Sequence, residues 1–318
     1  AGLAPAQVGQ QQMVGDDFYY SRKEPLGICA GIGAWNYPLQ IACWKSGPAL
    51  AAGNAFIFKP SEETPLGAIK LAEIFVEAGV PAGVFNVVQG AGDVGQWLTA
   101  HSEIDKVSFT GEVGTGKKVV ASASGTLKDV TMELGGKSPV VISRSAPMAA
   151  TTDALMAGKM LNAGQICLAP DYVFVPSERM GEFVESSKKS VAKMYPTLVD
   201  NPDYTSIVND RHFERINKYV EEAKDAGVEV VEINPANEDF RQQPTNKIAP
   251  TLLINPPEDS AAMQEEIFGP VMPVKSYEHM DEAVDYVNGH DRPLGLYYFG
   301  NDQKEVDKVL GETTSGGV

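Results

Sequence analysis

Cysteine is scarce: Cys29, Cys43 and Cys167 are the three in 318 residues. That is too few for the disulfide framework of a small secreted domain, and it fits a reducing, cytoplasmic setting. Histidine is nearly as rare. None of His101, His212, His279 and His290 stands at metal-ligand spacing from a cysteine, so no metal is expected. Positive charge is in deficit, with 26 Lys and Arg against 42 Asp and Glu and a net charge of −16. Such a surface excludes nucleic acid and anionic membrane as natural partners. Long hydrophobic runs are also missing, so no membrane span is expected, and the first residues do not read as a secretory leader. The acidity is uneven: residues 1–140 carry 10 Lys and Arg against 13 Asp and Glu, and residues 141–318 carry 16 against 29. Two segments under different surface pressures are expected. Ala1–Leu3 reads as mid-helix and Ser315–Val318 as the approach to a strand, so the chain is expected to be part of a longer one.

What is present is alternation. Apolar runs at 26–32, 54–58, 84–88, 106–109 and 129–133 read as strands of the buried parallel type. Helical patterns at 39–52, after Thr64-Pro65, at 94–100 and at 114–124 lie between them, with Thr64 as N-cap and Pro65 at the first helical position. The order predicts an α/β fold, a Rossmann-like parallel sheet covered on both faces. Ligands of such sheets sit beyond the carboxyl ends of the strands. Phe18–Arg22 reads as a β-prone arm. After residue 170, helices near 179–194, 210–226 and 282–288 and strands at 171–175, 228–233, 249–254 and 271–275 predict a second α/β domain.

Three local features could carry chemistry. Leu161-Asn-Ala-Gly-Gln-Ile-Cys-Leu-Ala-Pro170 places one thiol among small, turn-prone residues, between a helix-like and a strand-like run. It reads as a nucleophile or as a buried core thiol. Gly111-Glu-Val-Gly-Thr-Gly116-Lys117 has the spacing of a P-loop, but Lys118 stands where magnesium needs Ser or Thr. What survives is a glycine turn before a helix N-terminus, which suits a pyrophosphate or is a plain tight turn. Lys59 and Glu62 follow the second strand, where a carboxylate accepts from ribose hydroxyls and repels a 2′-phosphate. They read as NAD contacts or as a solvated turn; Lys59 and Ser61 leave NADP open.

Six motifs then fall in one order: Trp35-Asn-Tyr-Pro38, Lys59-Pro-Ser-Glu62, Phe109-Thr-Gly-Glu-Val-Gly114, Met132-Glu-Leu-Gly-Gly-Lys-Ser-Pro139, Gly164-Gln-Ile-Cys167 and Glu265-Glu-Ile-Phe-Gly-Pro270. With them the chain resembles the aldehyde dehydrogenase superfamily. The resemblance implies a cofactor domain over 1–133, with an oligomerisation arm near 17–25, and a catalytic domain over 134–318. It implies Cys167 as nucleophile, Glu133 as general base and Asn36 as oxyanion donor. Gly135 and Gly136 let the chain pass close to the substrate. Trp35, Lys59, Glu62, Gly111, Gly114, Glu266 and Phe268 are implied cofactor contacts. Glu112 departs from the serine of many relatives and cannot donate to phosphate when ionised. NAD is the expected cofactor, with NADP open, and a homo-oligomer is expected of the full-length protein.

The chemistry explains these residue types. An aldehyde carbon releases hydride once a thiolate has added to it. The resulting oxyanion needs a preorganised donor, and the thioester left behind needs an activated water. Cys29 and Cys43, in an apolar strand and an apolar helix, read as core.

The halves resemble different subgroups. Residues up to about 138, notably Ala34–Lys45, look like betaine-aldehyde dehydrogenases. From about 160 onward, Cys167-Leu-Ala-Pro-Asp-Tyr172 and His290–Phe299 look like coniferyl-aldehyde dehydrogenases. A chimera joined near Glu133–Pro139 is therefore expected. An aromatic or apolar aldehyde is the expected substrate and betaine aldehyde the second. Tyr37, Trp44 and the residues after Cys167 are candidates for the pocket. A non-catalytic NAD-binding fragment and a cofactor-free cysteine hydrolase are the competing classes.

Overall fold

The computed structural model describes residues 8–241 and 243–318. The reading of Ala1–Leu3 as mid-helix lies outside them. Two compact units meet in the chain at Leu134 and Gly135.

The first element among the described residues is a hairpin, β1 (Gln11–Val14) and β2 (Asp17–Tyr20), paired antiparallel with Val14 opposite Asp17. All eight strand residues are exposed, among them Met13, Phe18, Tyr19 and Tyr20. The hairpin thus starts earlier in the chain than the arm expected near 17–25. There follow β3 (Ile28–Ile32), α1 (Pro38–Ala51), β4 (Ala55–Lys59), α2 (Leu66–Glu77), β5 (Phe85–Val87), α3 (Gly92–Ala100), β6 (Lys106–Gly111), α4 (Val113–Ser124) and β7 (Asp129–Leu134). Strands β3 to β7 form one parallel sheet in the order β5-β4-β3-β6-β7. Its two faces are both buried. Cys29, Phe56 and Phe58 pack with Ala42, Ala68 and Leu71 on one side. Ala30, Ile32, Val107 and Phe109 pack with Val119 on the other. Two buried faces are why these strands read as near-continuous apolar runs.

The second unit contains β8 (Pro139–Ile142), α5 (Met148–Met160), β9 (Tyr172–Pro176), α6 (Met180–Met194), α7 (Asp210–Asp225), β10 (Glu229–Glu232), β11 (Thr251–Ile254), α8 (Ala261–Gln264), β12 (Val271–Tyr277), α9 (Met280–Asn288), β13 (Tyr297–Phe299) and α10 (Gln303–Glu312). Its sheet runs β10-β11-β12-β9-β8-β13, antiparallel at β10–β11 and parallel elsewhere. Alternation again feeds two cores. Val140, Ile142, Val173 and Val175 face Leu155, Met156 and Phe183, while Val141, Tyr172 and Phe174 face Tyr277 and Ala283. Gly317 bridges Gly295 alongside.

Two local expectations change. The N-cap position of α2 is Pro65, and Thr64 Oγ1 is buried with no hydrogen-bond partner. Cys43 is exposed rather than core, because α1 turns it outward beside Trp44, which is 55% exposed.

Candidate active site

In the first unit the chain leaves β3 toward β4 and β5 on one side, then crosses to β6 and β7 on the other. The strand order therefore reverses between β3 and β6. Doubly wound sheets bind ligands at such a switch point, outside the carboxyl ends of the strands. The register aligns those ends: Ile32 pairs with Lys59 on one side and Phe109 on the other, and Thr110 pairs with Glu133. Trp35 and Asn36 follow β3, Lys59 ends β4 with Glu62 just beyond, Gly111 ends β6 with Gly114 after it, and Glu133 lies near the end of β7. All seven thus belong to one edge of one sheet. Trp35, Asn36 and Glu133 are half-buried there.

Lys59 is 4% exposed; its Nζ donates to the carbonyls of Gly90 (2.6 Å) and Pro60 (2.7 Å), and Glu62 Oε2 lies 3.8 Å away. Burial holds its ammonium below the usual range, opposed by the charges of Glu62 and Asp93.

Glu112 itself occupies the N-terminus of α4. As N-cap of α4 its carboxylate accepts from the backbone N–H of Gly114 (2.5 Å) and Thr115 (2.8 Å), and from Thr115 Oγ1 (3.1 Å). The amides expected to hold a pyrophosphate are here satisfied by the protein's own carboxylate. Partial burial pushes the Glu112 carboxyl up, but the two N–H donors outweigh it and hold it below the ordinary carboxylate range.

Lys45 belongs to none of the six motifs. It is the only charged residue of α1, 8% exposed, and donates to Ser108 Oγ at 3.0 Å. Burial lowers its pKa to about 8, and the Glu133 carboxylate opposes that shift. One lysine in an otherwise uncharged helix was the available signal.

The second unit builds the thiol turn. Helix α5 ends at Met160, and Asn162, Ala163 and Gly164 follow with φ of 51°, 51° and 76°. Three successive left-handed residues reverse the chain toward Cys167, and at Gly164 any Cβ would collide with the Gly269 carbonyl. Buried Gln165 anchors the turn, donating to Asn162 O and Ser206 O and accepting from the Val208 amide, each at 3.0 Å. Past the half-buried Cys167, Tyr297 Oη donates to Leu168 O at 2.6 Å and the Asp171 amide to Ser138 O at 2.9 Å. The sulfur rests on a fixed turn between a helix and a strand.

Glu266 and Phe268 occupy the loop between α8 and β12. A Cβ on Gly135 would overlap the Glu266 carboxyl group. The glycine expected to let the chain pass close to a substrate therefore makes room for that carboxyl, and the Gly136 N–H donates to it. Burial pushes the Glu266 pKa up to about 7, reinforced by Asp171 and opposed by the Gly136 N–H, Lys137 and Arg215. Among the described residues no group of His, Cys, Asp and Glu could hold a metal ion, and no helix is long and apolar enough to cross a membrane.

Against known proteins, the profile described as Aldehyde dehydrogenase family matches residues 1–318. The chain belongs to the aldehyde dehydrogenase family. It is 48% identical over 295 residues to a probable coniferyl aldehyde dehydrogenase of Caulobacter vibrioides, covering 93% of this chain and 60% of that protein. It is 44% identical over 322 residues to a betaine aldehyde dehydrogenase of Vibrio vulnificus, covering 99% and 66%. Among solved structures it matches lactaldehyde dehydrogenase from Escherichia coli with a TM-score of 0.90 at 29% identity, covering 99% of this chain and 67% of that one. The chain thus spans roughly three-fifths to two-thirds of the length of these family members.

One prediction belongs to Glu266. Between its ordinary pKa of 4.5 and about 7, the unfolded carboxyl is ionised while the folded one keeps its proton. Folding then binds a proton, so this group's contribution to stability falls as pH rises through that window. Glu266→Gln is expected to flatten that fall. Urea midpoints of both proteins across this window check it, and parallel pH profiles would refute it.

Proposed function

We propose that the full-length protein oxidises an aldehyde to a carboxylic acid with NAD(P), through thiohemiacetal and thioester intermediates on Cys167. The observation that carries this is the alignment of Asn36, Lys59, Glu62, Gly111 and Glu133 along the carboxyl edge at the switch point of one sheet. Family membership supports the reaction class.

That edge fits a dinucleotide. The Glu62 side chain is 57% exposed, as a ribose-binding carboxylate must be. Lys59 is held beside it by two carbonyls. Trp35, Gly111 and Gly114 complete the proposed cofactor contacts along this edge; Glu266 and Phe268 are proposed as cofactor contacts as well. At the α4 N-terminus a phosphate has to displace the Glu112 carboxylate. When bound, NAD would supply the hydride acceptor.

The protein's own groups do the rest. The Cys167 thiolate adds to the carbonyl carbon. The Asn36 amide donates to the oxyanion that forms, and removing one such donor typically costs about 10²–10³ in kcat. Collapse of the thiohemiacetal leaves an acyl thioester on the sulfur. Glu133 takes a proton from water, the hydroxide attacks the thioester, and the acid leaves.

An aromatic or apolar aldehyde such as coniferyl aldehyde is the preferred substrate in this reading, supported by the relatives named for it at 48% and 44% identity. Betaine aldehyde is the second, supported by the Vibrio relative. Descent of the two halves from different subgroups belongs to the same proposal, and comparing each half separately with both sets of relatives tests it. A full-length homo-oligomer is also proposed. An isolated hairpin such as β1–β2 is marginal in water until something covers it. Sedimentation showing a monomer at all concentrations would remove that part.

The deciding experiment is a panel of aldehydes assayed with NAD and NADP. Cofactor reduction with coniferyl aldehyde in preference to betaine aldehyde is expected. Ester hydrolysis indifferent to NAD would favour a cysteine hydrolase, and cofactor binding without turnover a binding protein.

A further inference from the structure

Lys137 lies in the Glu133–Pro139 motif but has no part in the chemistry above. Its Nζ donates to the carbonyls of Ala262 (2.8 Å) and Glu265 (2.7 Å) and pairs with Asp171 Oδ1 at 2.5 Å. The side chains are 16% and 4% exposed. The other Asp171 oxygen accepts from the Ile267 amide at 2.9 Å. Asp171 closes the turn that carries Cys167, and Ile267 lies between Glu266 and Phe268. One carboxylate therefore ties the thiol turn to the loop of the two proposed cofactor contacts.

The same loop is also held by α7. Arg215 on α7 donates to the carbonyls of Glu266 (3.3 Å) and Ile267 (2.9 Å), and Tyr219 Oη to Glu265 Oε2 (2.6 Å). Its backbone needs holding, because Phe268 has a φ of 50°, an outlier for a bulky side chain that persists only when its surroundings over-determine it. Left-handed Asn162, Ala163 and Gly164 lead into the thiol, and Gly164 packs against the Gly269 carbonyl. Two strained segments touch, and the Lys137–Asp171 pair spans them.

We propose that Asp171 and Lys137 are positioning residues that fix the register between the Cys167 turn and the Glu266–Phe268 loop, so that thiol and cofactor contacts are held as one rigid part. The inference rests on the functional reading above. An apolar pair of equal volume could preserve packing here, but only a carboxylate reaches both the Lys137 ammonium and the Ile267 amide.

The test is a double-mutant cycle in the full-length protein, using Asp171→Asn, Glu266→Gln and the two combined. Asp171→Asn is expected to raise KM for NAD and lower kcat/KM roughly 10- to 100-fold, the cost of an ångström-scale misplacement, with KM for the aldehyde little changed. In the Glu266→Gln background that effect should largely vanish, since both act through one loop. Lys137→Met/Asp171→Leu, which removes both charges of the pair together, is expected to fold and remain defective. Wild-type protein without aldehyde oxidation would overturn the functional reading and this inference together. Active wild type would overturn the inference alone if Asp171→Asn were unimpaired, if the effects were additive, or if the apolar pair restored full activity.

Discussion

Replacing Cys167 by alanine is expected to lower aldehyde oxidation by about 10⁴-fold or more, since loss of a nucleophile leaves only binding and oxyanion stabilisation. The fold should survive. The turn is set by Gln165, by Tyr297 on the Leu168 carbonyl and by the Asp171 amide, none of which involves the sulfur. Cofactor binding should be retained, because the proposed contacts lie elsewhere in the chain. Stopped assays of NADH formation, with NAD titrated against intrinsic fluorescence, separate the two properties. Cys43→Ala is the matched control, as Cys43 is exposed on α1. Activity of Cys167→Ala within an order of magnitude of wild type would end the covalent mechanism.

Glu133→Gln carries the second large effect, of a different kind. The thiolate can still add and hydride can still leave, but water is no longer activated. A burst of about one NADH per active site is expected, followed by turnover slowed by about 10²–10⁴-fold. Rapid mixing shows the burst, and mass spectrometry finds the acyl group on Cys167. Absence of a burst would place Glu133 before hydride transfer. The substitution also reaches Lys45. The Glu133 charge supports that lysine's ammonium against burial, so the neutral amide should lower the lysine pKa further.

Much of the fold was legible because buried parallel strands announce themselves. Ile28–Ile32, Ala55–Lys59 and Asp129–Leu134 lie within a residue or two of their apolar runs. Helix α7 was equally plain, with Ile216, Tyr219 and Ala223 on its buried face. Elements such as β13 and α10 leave little trace in the sequence: a three-residue strand carries little periodicity, and α10 buries only Val309. Within the site, residue types and order were readable but local hydrogen bonding was not. Thr64 looked like a cap and makes no capping bond, whereas Glu112 looked like an obstacle and is the cap. Lys137 and Asp171 stand 34 residues apart in sequence, and the strand pairing of β8 with β9 brings their neighbourhoods together. No local pattern encodes such a pair.

Glu112 also changes what affinity means at the α4 N-terminus. An empty helix end attracts any anion by its dipole and its amides. Here the seat already has a tenant tethered two and three residues from the amides it satisfies. Whatever phosphate arrives exchanges one anion for another, so its gain is only the excess over the resident carboxylate. Dilute inorganic anions from solution, which must compete with a ligand at the effective concentration of a tether, have little to gain there.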